Sequence, residues 1–167
     1  RHMKEDETFS EQFKCLRSVA TIAPGVLGQT GIEISEIVKS ITQKIKPSTI
    51  IVIDALVSNN INRLGSTIQI SNSGISPGSG VMNPRKEISQ NRLGVPIISV
   101  GIPTVVDAKT IIKDVTKCDI EDKIEPMIVT PKEIDNIIKH AADILSLIIN
   151  KALQTDLSLS EIRTLIP

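Results

Sequence analysis

Two continuous apolar runs stand out along the chain and predict two buried strands. The first is TIIVID at 49–54, and the second is VPIISVGI at 95–102. Unbroken apolar runs of this length are typical of parallel strands that helices cover on both faces. An alternating run, STIQIS at 66–71, indicates a half-exposed strand, and SVATIAPG at 18–25 predicts a short strand that ends in a turn.

Apolar residues at helical spacing, together with capping signals, predict the helices. The clearest helix covers 130–153, with Thr130 as its N-cap. Similar capping signals place the starts of two further helices at Thr30 and Thr104, and a short closing helix follows at about 159–166.

Strands and helices alternate, so we predict an α/β architecture with a mainly parallel sheet flanked by helices. We expect a single α/β domain over residues 1–167, because no repeat or linker divides the sequence. Residues 1–16 are polar and show no periodicity, and we expect a mobile or helical lead-in there.

Composition excludes several functional classes. The 19 Lys and Arg balance the 19 Asp and Glu, so no net charge draws the chain to nucleic acid or an anionic membrane. With two Phe and neither Trp nor Tyr, there is no aromatic platform for stacking bases. Two histidines and no HExxH motif leave little for a zinc site or a Ser-His-Asp triad. Cys15 and Cys118 are far apart, which favours a reducing, cytoplasmic setting, and no apolar run reaches the roughly 18 residues of a membrane span.

Asp54 is the candidate catalytic residue, because it ends the first apolar strand. Ligands of open α/β sheets bind beyond the carboxyl ends of the strands, and partial burial there raises the pKa of a carboxyl group. The alternative is an aspartate that caps the next turn. Asp107 is interpreted as a helix-start residue that the helix dipole favours. His140 lies off the apolar stripe of its helix, and we expect it to be exposed.

A glycine-rich loop, NSGISPGSG at 72–80, is the second candidate site. It has neither the GK[ST] ending of a P-loop nor the spacing of GxGxxG, so phosphate binding is disfavoured. Small residues instead allow tight turns or the close approach of an extended substrate chain. In the second case Gly78, Ser79 and Gly80 are the candidate substrate-binding residues.

Several segments of the chain resemble the germination protease family of spore-forming bacteria. They are APGVLGQTGIEISEIVK at 23–39, KPSTIIVIDALVS at 46–58, TIQISNSGISPGSGVMNPRKEIS at 67–89, LGVPIISVGIPTVVDAKTI at 93–111 and MIVTPKEID at 127–135. The resemblance implies an endopeptidase that degrades small acid-soluble spore proteins during germination. It further implies a zymogen, a homotetramer, the cytoplasm of the spore core, and a fold similar to that of the hydrogenase maturation proteases.

The resemblance also implies catalysis by two aspartates, without a metal or other cofactor. One of them lies in the motif that reads IDALVS here, and it carries over to Asp54. The other belongs to a segment of the type TPDALGP, which this chain does not contain. The chain looks like the C-terminal portion of the family's catalytic domain, and we expect the missing N-terminal portion of the same protein to be a partner.

Two further departures from the family pattern stand out. The stretch between KDVTKCD and EPMIVTPKEID is much shorter than usual, and Ser76 occupies a position where histidine is expected. With one aspartate absent, we expect this chain alone to have little or no peptidase activity. Two alternatives remain: a noncatalytic peptide-binding or assembly module with the same fold, and a metal-dependent helper like the hydrogenase maturation enzymes.

Overall fold

The computed structural model describes residues 16–81, 85–117 and 125–166. Within these ranges the α-helices are α1 (Leu27–Thr30), α2 (Ile34–Ile45), α3 (Gln90–Leu93), α4 (Ala108–Thr116), α5 (Ile134–Leu153) and α6 (Leu159–Leu165). The strands are β1 (Ile50–Ser58), β2 (Gln69–Ser71), β3 (Ile97–Asp107) and β4 (Ile128–Val129), and short 3-10 helices cover Ile61–Arg63 and Ser79–Val81. The predicted lead-in lies outside the described residues, apart from Leu16.

The chain divides into two compact units. One, here called the sheet unit, is Ala23–Ile138, and the other, the helical unit, is Arg1–Ile22 with Lys139–Pro167. The sheet unit contains the four strands, and the helical unit contains α6 and most of α5. The expectation of a single domain stays a prediction.

The sheet is mixed, with the order β1-β3-β2 and with β4 paired to the far end of β3. Strands β1 and β3 run parallel from the pair Ile50–Ile97 to the pair Ser58–Val106, with a bulge after Leu56. Strands β2 and β4 are both antiparallel to β3. The α/β class with flanking helices is confirmed, and the two strands predicted from the apolar runs are parallel neighbours. The sheet as a whole is mixed, because the two short strands run antiparallel to the central strand.

Strand β3 forms the centre of the sheet unit, and β1 lies at an edge. Ile97, Val100 and Val106 of β3 are buried. Ile53 in β1 is 52% exposed, so the prediction that helices cover both faces of the first strand is wrong. Ile53 is exposed because it lies on an edge strand: within the described residues β1 pairs with β3 alone.

Both apolar strands are longer than their sequence patterns predict. β1 continues past Asp54 to Ser58, since the pairing with β3 resumes after the bulge. β3 continues to Asp107, since its last two residues pair with β4. Asp54 therefore lies in the middle of its strand and not at its C-terminal end. Thr104 lies inside β3 and does not cap a helix.

Two other predicted caps and one predicted strand are also absent. Thr30 is the last residue of α1, where Gly31 with φ 67° ends the helix, and α2 begins only at Ile34. The Thr130 hydroxyl donates to the Thr104 carbonyl at 2.9 Å, and α5 begins at Ile134, three residues later than a cap at Thr130 predicts.

Residues 18–25 form no strand, and next to them the backbone of Arg17 bonds to the side chain of Gln154 through two hydrogen bonds of 2.8 and 3.2 Å. The backbone amide and carbonyl of Arg17, just before the predicted strand, are thus paired with a side chain and not with a neighbouring strand.

The predictions of helices from periodicity are more accurate than the predictions of caps. Helix α2 ends at Ile45, two residues before Pro47, as the proline predicts. The closing helix α6 begins with a complete capping box, in which the Ser158 hydroxyl accepts the Glu161 amide and the Glu161 carboxylate accepts the Ser158 amide.

Candidate functional site

Asp54 lies on an edge strand whose outer side is open within the described residues. The Ile50 amide donates to the Pro96 carbonyl at 2.9 Å, so the backbone of residue 50 points toward β3. In a parallel ladder alternate residues face the same neighbour, which turns the backbone groups of Ile51, Ile53 and Ala55 away from β3. An edge of this kind offers unpaired donors and acceptors to another strand.

The Asp54 carboxylate reaches over this open edge. Its Oδ1 accepts the amide hydrogen of Ala55 at 2.9 Å. That amide is one of the outward-facing donors of β1, and the aspartate satisfies it where a neighbouring strand would otherwise do so. The carboxylate is therefore accessible from the side on which β1 has no partner among the residues that the structure describes.

Gly101 and Leu56 form the apolar side of the site. Asp54 is directly paired with Gly101 on β3, and Leu56 projects to the same face two residues further along β1. A Cβ atom built on Gly101 would lie 2.6 Å from Leu56 Cγ, so the leucine side chain covers the glycine next to Asp54. A glycine inside a strand often indicates that another group approaches the backbone closely. Gly101 in the sequence of β3 is a signal of this kind.

Burial raises the pKa of the Asp54 carboxyl above its ordinary value, while the hydrogen bond from the Ala55 amide lowers it to a smaller extent. Among the described residues no charged side chain contributes to this shift. A half-buried carboxyl with a raised pKa can hold and release a proton, which is what a general acid or base requires.

The glycine-rich loop lies against the same strand. Gly80 packs on Val57, since a Cβ atom on the glycine would come within 2.8 Å of Val57 Cβ. Gly78 has φ 72°, a left-handed conformation that favours glycine, and Ser79 between them is exposed. The structure therefore brings the loop to a residue three positions beyond Asp54, and it gives Gly80 a packing role that the sequence did not predict.

The structure also places the other residues that the sequence singles out. Asp107 is the N-cap of α4, where its Oδ1 accepts the Lys109 amide at 2.7 Å, which confirms the helix-start interpretation. His140 is exposed on α5, as expected, and Ser76 is half-buried, with its carbonyl accepting the Ser79 amide. Cys15 and Cys118 lie outside the described residues.

Two features of the described residues bear on metal and membrane binding. Residues 16–81, 85–117 and 125–166 contain no group of three or more His, Cys, Asp or Glu that could hold a metal ion. No helix in that part of the chain is both long and apolar enough to cross a membrane.

The fold and the half-buried carboxyl on an open strand edge suit a hydrolytic enzyme of the α/β class. Comparison with known proteins identifies the family. The sequence model of the germination protease family matches residues 2–122. The chain belongs to the germination protease family.

Curated germination proteases from several bacteria are similar to the chain. That of Caldanaerobacter subterraneus is 42% identical over 201 residues, which cover 99% of this chain and 61% of that protein. That of Clostridium acetobutylicum is 44% identical over 88% of this chain and 55% of the relative. That of Oceanobacillus iheyensis is 57% identical over 98 residues, or 59% of this chain and 27% of the relative.

The first two relatives are considerably longer than this chain, which spans 61% and 55% of their lengths. The alignment with the Caldanaerobacter protein also runs over 201 residues, more than the 167 of this chain, so it includes stretches that only the relative has.

Proposed function

We propose that the chain is part of an endopeptidase that degrades small acid-soluble spore proteins during germination. In this proposal the reaction needs two carboxylates, of which Asp54 is one and the other comes from a part of the protein outside these 167 residues. Membership of the germination protease family supports the peptidase activity. The half-buried position of Asp54 on the open edge of β1 supports its role.

The open edge supplies a physical route by which a second acid could reach Asp54. A strand added beside β1 would place one of its residues directly opposite Asp54, with the two Cβ atoms about 4.5–5.5 Å apart. Two aspartate side chains at that separation can approach closely enough to share one proton. No charged side chain of the described residues influences the pKa of Asp54. In this proposal the second acid therefore lies outside the described residues.

The chemistry follows from the shared proton. The ionised carboxylate takes a proton from a water molecule as the water oxygen bonds to the carbonyl carbon of the substrate. The protonated carboxyl gives its proton to the carbonyl oxygen at the same stage. As the tetrahedral intermediate collapses, the carboxylate that is now ionised takes the proton of one of its two hydroxyls, and the carbon–nitrogen bond breaks. The other carboxyl passes its proton to the leaving amine, so the pair again shares one proton. Asp54 alone can perform only one of these two roles.

The glycine-rich loop is proposed to hold the extended substrate beside Asp54. Gly80 lies against Val57 of the same strand, and the exposed Ser79 and the turn at Gly78 offer backbone groups to a peptide. The fold similarity to hydrogenase maturation proteases, the zymogen, the homotetramer and the spore-core location belong to the same proposal, and family membership is what supports them.

The test is a cleavage assay with a small acid-soluble spore protein as substrate. We expect the 167-residue chain alone to be inactive, and activity to appear when the part of the Caldanaerobacter relative outside the aligned region is added. Asp54→Asn should abolish the restored activity. Asp107→Asn is the matched control, since Asp107 is the N-cap of α4 and asparagine also caps helices. Strong cleavage by the chain alone, or full activity of Asp54→Asn in the mixture, would contradict the proposal.

A noncatalytic peptide-binding or assembly module is the second candidate function, and the absence of a charged neighbour of Asp54 within the described residues favours it. The same assay separates the two candidates. A module of this kind would bind the substrate without cleaving it, whether or not the remaining portion of the relative is present.

A further inference from the structure

The glycine-rich loop and the chain that returns from it form two arms that are bonded together at their base. The Ile75 amide donates to the Ile88 carbonyl at 3.0 Å, and the Ile88 amide donates to the Ile75 carbonyl at 2.8 Å. Gly74 approaches the same arm so closely that a Cβ atom would lie 2.6 Å from the Ile88 carbonyl oxygen. Ile88 is buried, so the base of the loop is fixed in the sheet unit.

A further hydrogen bond joins the two arms closer to the candidate substrate-binding residues. The Arg85 amide donates to the Pro77 carbonyl at 3.0 Å. Pro77 immediately precedes Gly78 in the chain, and Gly80 packs on Val57 of β1. A shift of residue 85 therefore moves the segment that is proposed to hold the substrate.

Two ion pairs fasten the returning arm to the start of α2. Arg85 Nη1 lies 3.6 Å from Oε1 of Glu33, the N-cap residue of the helix. Lys86 Nζ donates to Oε1 of Glu36, in the first turn, at 2.6 Å. The hydrogen bond from Lys86 and the charge of its ammonium group hold the pKa of the Glu36 carboxyl below its usual range. Each of two adjacent bases thus has its own carboxylate partner, which fixes the returning arm at two points.

We infer that Arg85 and Lys86 are positioning residues of the proposed peptidase. Through their carboxylate partners they fix the returning arm on α2, and through the hydrogen bond to Pro77 they hold the glycine-rich loop against β1. The inference rests on the proposed function, because it concerns the loop that is proposed to bind the substrate beside Asp54. Neither base is a catalytic residue, since each acts through the loop and not on the reacting atoms.

The exposure of the ion pairs sets the size of the effect. The side chains of Arg85 and Glu33 are 31% and 23% exposed. Those of Lys86 and Glu36 are 50% and 55% exposed. Pairs of this kind stabilise a structure weakly when they act singly, and salt screens them. One pair is therefore expected to change substrate binding about two- to fivefold and two pairs about three- to tenfold, and the effect should disappear at high salt.

The test is steady-state cleavage of a small acid-soluble spore protein by the 167-residue chain mixed with the part of the Caldanaerobacter relative outside the aligned region. One double variant, Glu33→Gln with Glu36→Gln, removes the charges of the acids. A second, Arg85→Gln with Lys86→Gln, removes those of the bases. Each should raise KM about three- to tenfold at low salt and leave kcat within about twofold of wild type, because the loop holds substrate and transition state alike. A general loss of folded protein would instead lower kcat at unchanged KM. At about 1 M salt, where the Debye length is about 3 Å, wild type and variants should have equal KM.

Two further variants show whether the charges act through each other. In the quadruple variant, which neutralises all four side chains, KM should be no higher than in either double variant, because both pairs are already broken there. Lys44→Gln is the matched control, since it removes an exposed charge from the opposite end of α2 and should leave KM unchanged.

Amide hydrogen exchange followed by NMR tests the position of the loop without any cleavage. In the 167-residue chain alone, both double variants should lower the protection factor of the residue 85 amide, which donates to Pro77, by about three- to tenfold. Amides in the middle of α5, which belongs mostly to the helical unit, should keep their wild-type protection.

The inference and the proposed function fail in different ways. An inactive wild-type mixture refutes the proposed function and the inference with it. An active wild-type mixture with unchanged KM in both double variants, or with unchanged protection of the residue 85 amide, refutes the inference alone. Raised KM and lowered protection in both double variants, with the control unaffected, support it.

Discussion

Gly101→Ala tests the close packing beside Asp54. A Cβ atom at this position would lie 2.6 Å from Leu56 Cγ and 3.1 Å from Leu56 Cδ2. Leu56 Cδ1 would lie closer still. Carbon atoms pack favourably at about 3.5–4.0 Å, so the new methyl group must displace the leucine side chain by more than about one ångström. Overpacking of this kind costs about 1–3 kcal/mol of unfolding free energy. At this chain length each kcal/mol lowers Tm by about 2–4 °C.

The measurement is urea unfolding followed by circular dichroism, since the chain has neither Trp nor Tyr to report by fluorescence. Leu56→Ala removes the side chain that the methyl group would meet. Gly101→Ala should therefore be far less destabilising in the Leu56→Ala background. Gly28→Ala is the control, because a Cβ atom there has no heavy atom within 4 Å, and it should not destabilise the chain. An equal cost of Gly101→Ala in both backgrounds would refute the proposed packing.

Two further predictions concern stability. Burial raises the pKa of Asp54 in the folded state, so the unfolding free energy falls as pH rises from the unfolded pKa to the folded pKa. Below the unfolded pKa both states are protonated and the penalty is absent. Asp54→Asn should therefore raise the unfolding free energy at pH 7 and lose this advantage in acid, as urea titrations at several pH values will show; a destabilised variant at pH 7 would contradict the shift. Ser158→Ala removes the hydroxyl that accepts the Glu161 amide at 3.2 Å, and it should cost about 1 kcal/mol while Ser158→Asp costs less, as thermal melts will show. Equal melting temperatures for wild type and Ser158→Ala would count against the capping box.

Local patterns predicted the helices well and the ends of the strands poorly. Periodicity and Pro47 located the C-terminal end of α2, and periodicity also located α5 and α6. The strands end where their pairing ends, and pairing is a property of distant segments. β3 reaches Asp107 because β4 pairs with it, and no signal near Thr104 reports this.

The choice of Asp54 as the catalytic residue stays a prediction, whereas its expected position at the end of the strand was wrong. An acid among the apolar residues of β1 was sufficient to select Asp54. Its place in the middle of an edge strand depends on the bulge after Leu56 and on the lack of a second partner for β1 in the described residues. The covering of Gly101 by Leu56 and the packing of Gly80 on Val57 are contacts between separate segments, which the sequence of either segment alone does not reveal.

The most direct test of the central claim is a carbon-13 NMR titration of the Asp54 carboxyl, assigned by its loss in Asp54→Asn. In the 167-residue chain alone we predict one titration step at a pKa above the ordinary value, because burial is the main cause. When the remaining portion of a relative is added, the signal should titrate in two steps, as two coupled carboxyls do. A carboxyl that titrates at or below its ordinary pKa in the chain alone, or whose titration the added portion leaves unchanged, would contradict the account.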